Sequence, residues 1–212
     1  MTLCHSARPA RRIRRKRPFV IGLTGSIGMG KSAVTRMFRM HGVPGFDADL
    51  AVRQVQAPGG SALAPIEGAF PGVVRDGVLD RQELGRRVFD NVPARTQLEA
   101  IVHPLVHARQ QDFLRRNRHR RVVLLDVPLL LEGDGWRKCD MVVVVSAPLH
   151  VQRARVLRRP GMTQARFEAI LATQMPDALK RARADVVIET GRGRLLTWRS
   201  VAKVARFAKA AA

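Results

Sequence analysis

Between Gly25 and Ser32 the chain reads G-S-I-G-M-G-K-S. Three glycines in so short a loop let successive backbone N–H groups turn toward one point, and the start of a following helix adds donors with positive dipole character. Lys31 can reach outer phosphates, and the Ser32 hydroxyl can ligate a phosphate-bound Mg²⁺. An apolar run at 19–23 precedes the loop and a helical stretch at 33–40 follows it, the strand–loop–helix context that such a loop requires. Gly25, Ser26, Ile27, Gly28, Met29, Gly30, Lys31, Ser32 and Ala33 are therefore the candidate contacts for the phosphates of a nucleotide. A plain glycine-rich turn beside a solvated lysine would leave the three glycines unexplained, because each raises the entropy lost on folding.

A phosphotransferase also needs the accepting hydroxyl oriented and its proton removed as transfer proceeds. Asp47 and Asp49 follow an apolar run and flank Ala48; in an extended segment that spacing puts both on one side. Asp49 is the candidate base, and Asp47 the candidate for positioning substrate or an Mg²⁺-bound water. The competing reading has one of the two capping the next helix. Asp126 ends another apolar run, where phosphate-loop enzymes often hold an acidic metal partner, and it is a candidate metal ligand beside Ser32. Glu132 lies a little beyond Pro128, as a substrate contact or a loop anchor.

Arg153, Arg155, Arg158 and Arg159 crowd the segment before Pro160-Gly161, and arginine forks match phosphate oxygens. Arg155 and Arg159 are the candidates for a basic lid that neutralises charge during transfer and excludes water. Arg153 and Arg158 read equally well as a solvated helix face. His103 and His107 have the spacing of a helical metal pair, but Pro104 breaks the local pattern and no further ligand accompanies them. A zinc site is not expected, and His103 stands as a candidate substrate-binding residue.

Short apolar runs at 19–23, 43–46, 122–126, 141–145 and 185–189 read as strands, and helices are expected at 33–40, 148–158, 163–174 and 195–208. This alternation predicts an α/β fold, a doubly wound parallel sheet of five strands of the P-loop NTPase kind. Ligands then bind beyond the carboxyl ends of strands, where residues 25–32 and 47–49 both fall. From 50 to about 120 the pattern is helical, interrupted by turns at Pro58-Gly59-Gly60 and Pro71-Gly72. Asp80 with Glu83 predicts a helix N-terminus closed by a reciprocal capping box. A further helix should carry Leu98, Ile101, Val102, Leu105 and Val106, and another stretch should reach Phe113 and Leu114. The expected organisation is a basic, disordered extension over 1–17 and a P-loop domain over 18–212, containing a helical insertion at 60–118, which the family resemblance given below implies to be substrate-binding, and a basic lid at 155–176.

The 212 residues are 46% apolar, enough for one α/β core with modest insertions. No apolar run approaches the length of a membrane span. Two cysteines, Cys4 and Cys139, far apart, do not make a disulfide framework and fit a reducing compartment. The formal charge is +21, from 38 Lys and Arg against 17 Asp and Glu, and much of it sits in the segment before the first strand. Such an excess attracts polyanions generally, but Trp136 and Trp198 lack aromatic companions and Tyr is absent, so no nucleic-acid stacking surface is expected. That segment has no apolar stretch of the kind found in secretory leaders.

The motifs together resemble the dephospho-coenzyme A kinase family. G-L-T-G-S-I-G-M-G-K-S, D-A-D at 47–49, H-P at 103–104, D-V-P-L-L-L-E at 126–132 and A-D-V-V-I at 184–188 occur in that family's order, with Gln174 and Lys180 in its intervening segment. The resemblance implies ATP as phosphoryl donor with Mg²⁺, the ribose 3′-hydroxyl of dephospho-CoA as acceptor, and CoA and ADP as products. It implies a nucleotide-binding core, a helical substrate-binding domain and a small lid. Asp49 corresponds to the family's proposed catalytic aspartate, Lys31 to its phosphate-loop lysine and Arg159 to its lid arginine, with Arg155 nearby. A cytoplasmic monomer without specific nucleic-acid partners is expected. The rival readings are a related nucleotide or nucleoside kinase and an ATP-regulated nucleic-acid-binding protein. Ser26, Ala33 and Leu131 depart from the family pattern. Ser26 would strain the loop if its position needed positive φ, and Leu131 stands where an aromatic residue is common.

Overall fold

The structure, a computed structural model, describes residues 17–212. The arginine-rich extension expected over 1–17, with Cys4, thus lies outside the described residues except for Arg17. Arg17 is held in place: its guanidinium forks onto Asp140 at 2.7 and 2.9 Å.

In chain order the elements are β1 (Phe19–Thr24), α1 (Lys31–Met40), β2 (Gly45–Asp47), α2 (Ala48–Val55), α3 (Leu63–Ala69), β3 (Val74–Arg75), β4 (Val78–Leu79), α4 (Arg81–Phe89) and α5 (Val92–Arg116). They continue with β5 (Val122–Asp126), β6 (Met141–Ser146), α6 (Leu149–Leu157), α7 (Gln164–Ala172), α8 (Asp177–Ala182), β7 (Val186–Glu189) and α9 (Arg194–Ala211). The described chain divides into two units: residues 17–46 with Asn117–Ala212, and Asp47–Arg116.

The first unit is built on a five-stranded sheet in the order β2-β5-β1-β6-β7, the expected α/β architecture. β1 pairs in parallel with β5 and β6, and β6 with β7. All residues of β1, β5 and β6 are buried, as continuous apolar runs in a sheet covered on both faces require. Val34, Met37 and Phe38 of α1 and Val201, Val204 and Ala208 of α9 pack with Ile21, Leu23, Val143 and Val145. Register matters for the site. Leu23 lies opposite Asp126, so β5 ends level with the point where β1 gives way to the phosphate loop.

The second unit holds α2 to α5 and the β3–β4 hairpin around Val55, Ile66, Phe70, Val73, Leu79, Leu84 and Val102. Three local expectations change here. The two helical stretches expected between 98 and 114 form one helix, α5, that runs through Pro104. Proline removes one backbone donor and crowds the preceding turn, yet α5 packs against α2, α3 and α4, and those contacts hold the helix together. Asp80 does cap α4, accepting from Gln82 N at 3.1 Å and Glu83 N at 2.9 Å. The reciprocal arm is absent, because Glu83 pairs with Arg86 at 3.0 Å and Arg87 at 2.8 Å instead. The hairpin was not expected at all. Its turn is Asp76-Gly77, with φ of 50° and 72°, the left-handed pair that a two-residue hairpin demands.

Candidate active site

In the first unit the loop between β1 and α1 is shaped from outside by side chains that grip its carbonyls. Gln152 Nε2, from α6, donates to Ile27 O at 2.8 Å. Thr190 Oγ1, just past β7, donates to Met29 O at 2.6 Å. Arg155, also from α6, bonds to Thr190 Oγ1 and Thr190 O, each at 2.8 Å, and its Nη1 lies 3.4 Å from Met29 O. A trans peptide is planar, so a carbonyl drawn outward aims the next N–H the opposite way. The bonds to Ile27 O and Met29 O therefore turn the Gly28 and Gly30 amides into the loop's concavity, where a phosphate oxygen would lie.

Two glycines are required by this shape. Gly30, φ 94°, is the N-cap of α1. Gly28 has φ 78°, and a Cβ there would meet Val156 Cγ2 at 2.5 Å and Gln152 O at 3.0 Å. Gly28→Ala should lower kcat/KM for ATP by about tenfold or more, since left-handed backbone costs an L-residue about 1–2 kcal/mol before the steric conflict is added. Initial rates against ATP concentration check this. Ser26 is free of the strain that the sequence left open: among described non-glycine residues, Asp76 alone has positive φ.

Lys31, the first residue of α1, directs Nζ to Asp126 Oδ1 at the end of β5. The second oxygen, Asp126 Oδ2, accepts from Thr35 Oγ1 at 2.6 Å. Asp126 is buried, 3% exposed, with both oxygens engaged. Ser32, by contrast, is exposed. Ser32, Ala33, Arg36, Arg194, Leu195 and Trp198 line a groove that opens beside the loop.

Glu132 is anchored within this unit: its Oε1 accepts from Met175 N at 3.0 Å and from the wholly buried Lys180 Nζ at 2.7 Å. Leu131 is buried with Leu130, Val142 and Val144, so its departure from an aromatic residue bears on core packing. Arg159 is exposed beyond the end of α6, whereas Arg155 is partly buried against the loop. Cys139 packs against Gly22, and burial pushes its thiol up to about 11.

In the second unit Asp47 is the N-cap of α2, and its Oδ1 accepts from Leu50 N at 2.9 Å. Asp49 lies in the first turn of α2 and is exposed. The two aspartates are thus not on one extended segment; the chain turns into a helix between them. His103 and His107 are exposed on α5. No group of three or more metal-ligating side chains occurs among the described residues.

Sequence reasoning missed Gln152, Thr190 and Thr35. Thr35 carried a signal, since it is a polar residue on the buried face of α1, one turn beyond Lys31. Gln152 and Thr190 carried none.

With this geometry in place, comparison with known proteins is decisive. A family model described as dephospho-CoA kinase matches residues 19–194. The chain belongs to the dephospho-CoA kinase family. Dephospho-CoA kinase of Paramagnetospirillum magneticum is 57% identical over 164 residues, covering 76% of this chain and 77% of the relative. That of Novosphingobium aromaticivorans is 55% identical over 175 residues, covering 82% and 87%. A solved structure from Thermus thermophilus superposes with TM-score 0.82 at 34% identity, over 91% of this chain and 98% of that one. A dephospho-CoA kinase from Campylobacter jejuni shares the fold, with TM-score 0.62 at 20% identity over 89% and 96%. Every candidate site residue of this family member falls inside the matched span.

Proposed function

We propose that the loop at 25–32 holds the phosphates of ATP and that Asp49 serves the acceptor hydroxyl. As a member of its family the chain is an ATP-dependent kinase that converts dephospho-CoA to CoA. The observation that carries this reading is the match to the dephospho-CoA kinase model over residues 19–194, which spans the loop, both aspartates and the arginine cluster.

The inward amides of Gly28 and Gly30 and the N-terminus of α1 bind phosphate oxygens. Lys31 exchanges Asp126 for the outer phosphates of the donor and follows charge as it develops there. The groove between Ser32 and Arg194 receives the nucleoside. Asp49 orients the ribose 3′-hydroxyl of dephospho-CoA and takes its proton as the new O–P bond forms and the bond from the γ-phosphorus to the bridging oxygen breaks, releasing ADP. Asp47 keeps α2, and so Asp49, in position through its cap. Arg159 contacts the transferring phosphoryl group from a lid over 155–176, while Arg155 supports the loop from behind. His103, in the helical substrate-binding region at 60–118, contacts dephospho-CoA.

Ser32 and the Asp126 oxygen that Lys31 gives up would hold Mg²⁺: both are hard oxygen donors, and one hydroxyl with one carboxylate suits an ion that keeps waters and phosphates in its shell. When bound, Mg²⁺ neutralises charge on the phosphate oxygens.

The distant cysteines and the lack, among the described residues, of any helix long and apolar enough to cross a membrane support a cytoplasmic site of action.

Assays with ATP and dephospho-CoA, AMP or adenosine, at equal concentrations, test the acceptor. We expect CoA and ADP, with AMP and adenosine turned over at least about a hundredfold more slowly, the discrimination available to a site built around specific polar contacts. Turnover of a nucleoside or AMP with none of dephospho-CoA would assign the chain to the related kinases instead.

A further inference from the structure

We propose that Gln174 is a positioning residue for ATP, setting the shape of the phosphate loop from the foot of α7. This rests on reading the loop as the ATP site. Gln174 lies just past α7, and its Oε1 accepts from Ile27 N at 3.0 Å. Gln152 holds the other polar group of the same residue, Ile27 O, at 2.8 Å. Two consecutive peptide planes of the loop are therefore fixed from outside. The first has a second consequence. With the Ile27 N–H drawn to Gln174, the carbonyl of that plane, Ser26 O, faces the other way. There it accepts from Met29 N at 3.2 Å and closes the turn inside the loop. One side-chain acceptor thus fixes both the outer and inner sides of the loop's first half.

Gln174 can act in this way because its segment, joined to α7 by Gln174 N to Leu171 O at 3.1 Å, is also fastened on its far side. Met175 N donates to Glu132 Oε1 at 3.0 Å. The same oxygen takes the buried Lys180 Nζ at 2.7 Å. Asp177 Oδ2 accepts from Ser146 Oγ, at the end of β6, at 2.7 Å. Residues 174–180 are stapled to the segment after β5 and to the end of β6, and Gln174 carries that rigidity to the loop. Glu132 then serves ATP binding at a distance, through Met175 and Gln174.

Gln174→Met keeps the length of the side chain and removes the acceptor. Losing one neutral hydrogen bond should raise the ADP dissociation constant and the KM for ATP about fivefold, with KM for dephospho-CoA changed less than twofold. Amide exchange at Ile27 should quicken while the amides of β1 and β5 exchange as before. Gln174→Glu restores an acceptor and should restore Ile27 protection, even though its charge opposes nucleotide binding. Unchanged ADP affinity, an equal loss for both substrates, or an Ile27 amide indifferent to the substitution overturns the proposal. ADP binding and amide exchange need no acceptor substrate, so they judge Gln174 even if dephospho-CoA proves to be the wrong one.

Discussion

Lys31→Ala should lower kcat on the order of 10²–10³-fold, the usual consequence of removing one donor aimed at developing charge. Phosphoryl transfer spreads charge over several oxygens, so most of its catalysis is positioning and electrostatics. Lys31 starts α1 directly after Gly30, which places its charge at the mouth of the loop. A second effect must be separated from this one. Lys31 is also the ion-pair partner of Asp126, whose side chain is 4% exposed. Removing one member of a buried pair leaves the other charge uncompensated, at a cost of about 3 kcal/mol. Thr35 continues to donate to Asp126 and holds the loss to that level. The double variant Lys31→Ala/Asp126→Asn removes the orphaned charge. It should recover most of the lost thermal stability and none of the lost turnover. Tm and kcat measured on the same two samples distinguish the roles. Recovery of turnover in the double variant would show that Lys31 acts through stability alone.

Asp49→Asn is expected to lower kcat by on the order of 10²-fold, near the lower end for general bases. In a loose transition state the hydroxyl gives up its proton late, so much of the work proposed for Asp49 is orientation. The substitution should leave the fold intact for two structural reasons. Asp49 is exposed in the first turn of α2, and the cap of that helix is made by Asp47. Tm should therefore change little, and KM for ATP should stay within about twofold, because Asn keeps the size and shape of Asp and leaves the Asp47 cap in place. Rates across a dephospho-CoA titration, with Tm on the same preparation, check both halves. Wild-type turnover in Asp49→Asn would remove it from the chemistry.

Much of the fold could be read from the chain because its central strands are buried on both faces. Residues 19–23, 122–125 and 141–145 show no alternation to be misread, only apolar runs that end on Thr24, Asp126 and Ser146. The phosphate loop was legible because its glycines answer a backbone requirement at fixed positions, as φ at Gly28 and Gly30 shows. Pro104 misled, since local propensity argues for a break where packing against three helices sustains one continuous helix. The Asp76-Gly77 hairpin had a sequence signature, but each of its strands is two residues long, too short for periodicity to reveal. The supports of the loop were hidden for a different reason. Gln152 and Thr190 reach it from 125 and 161 residues away, and no local pattern encodes contacts of that kind. The same distance explains Glu132. From the chain it is an acidic residue after a strand, and only the fold brings Met175 and Lys180 to its carboxylate.

The most direct test is a crystal structure with a nonhydrolysable ATP analogue, Mg²⁺ and dephospho-CoA bound together. The β- and γ-phosphates should lie within the loop on the Gly28 and Gly30 amides. The ribose 3′-oxygen should lie in line with the γ-phosphorus and within about 3 Å of an Asp49 carboxylate oxygen, the reach of a general base. A fully occupied complex with that oxygen remote from Asp49, or the triphosphate outside the loop, would contradict these placements.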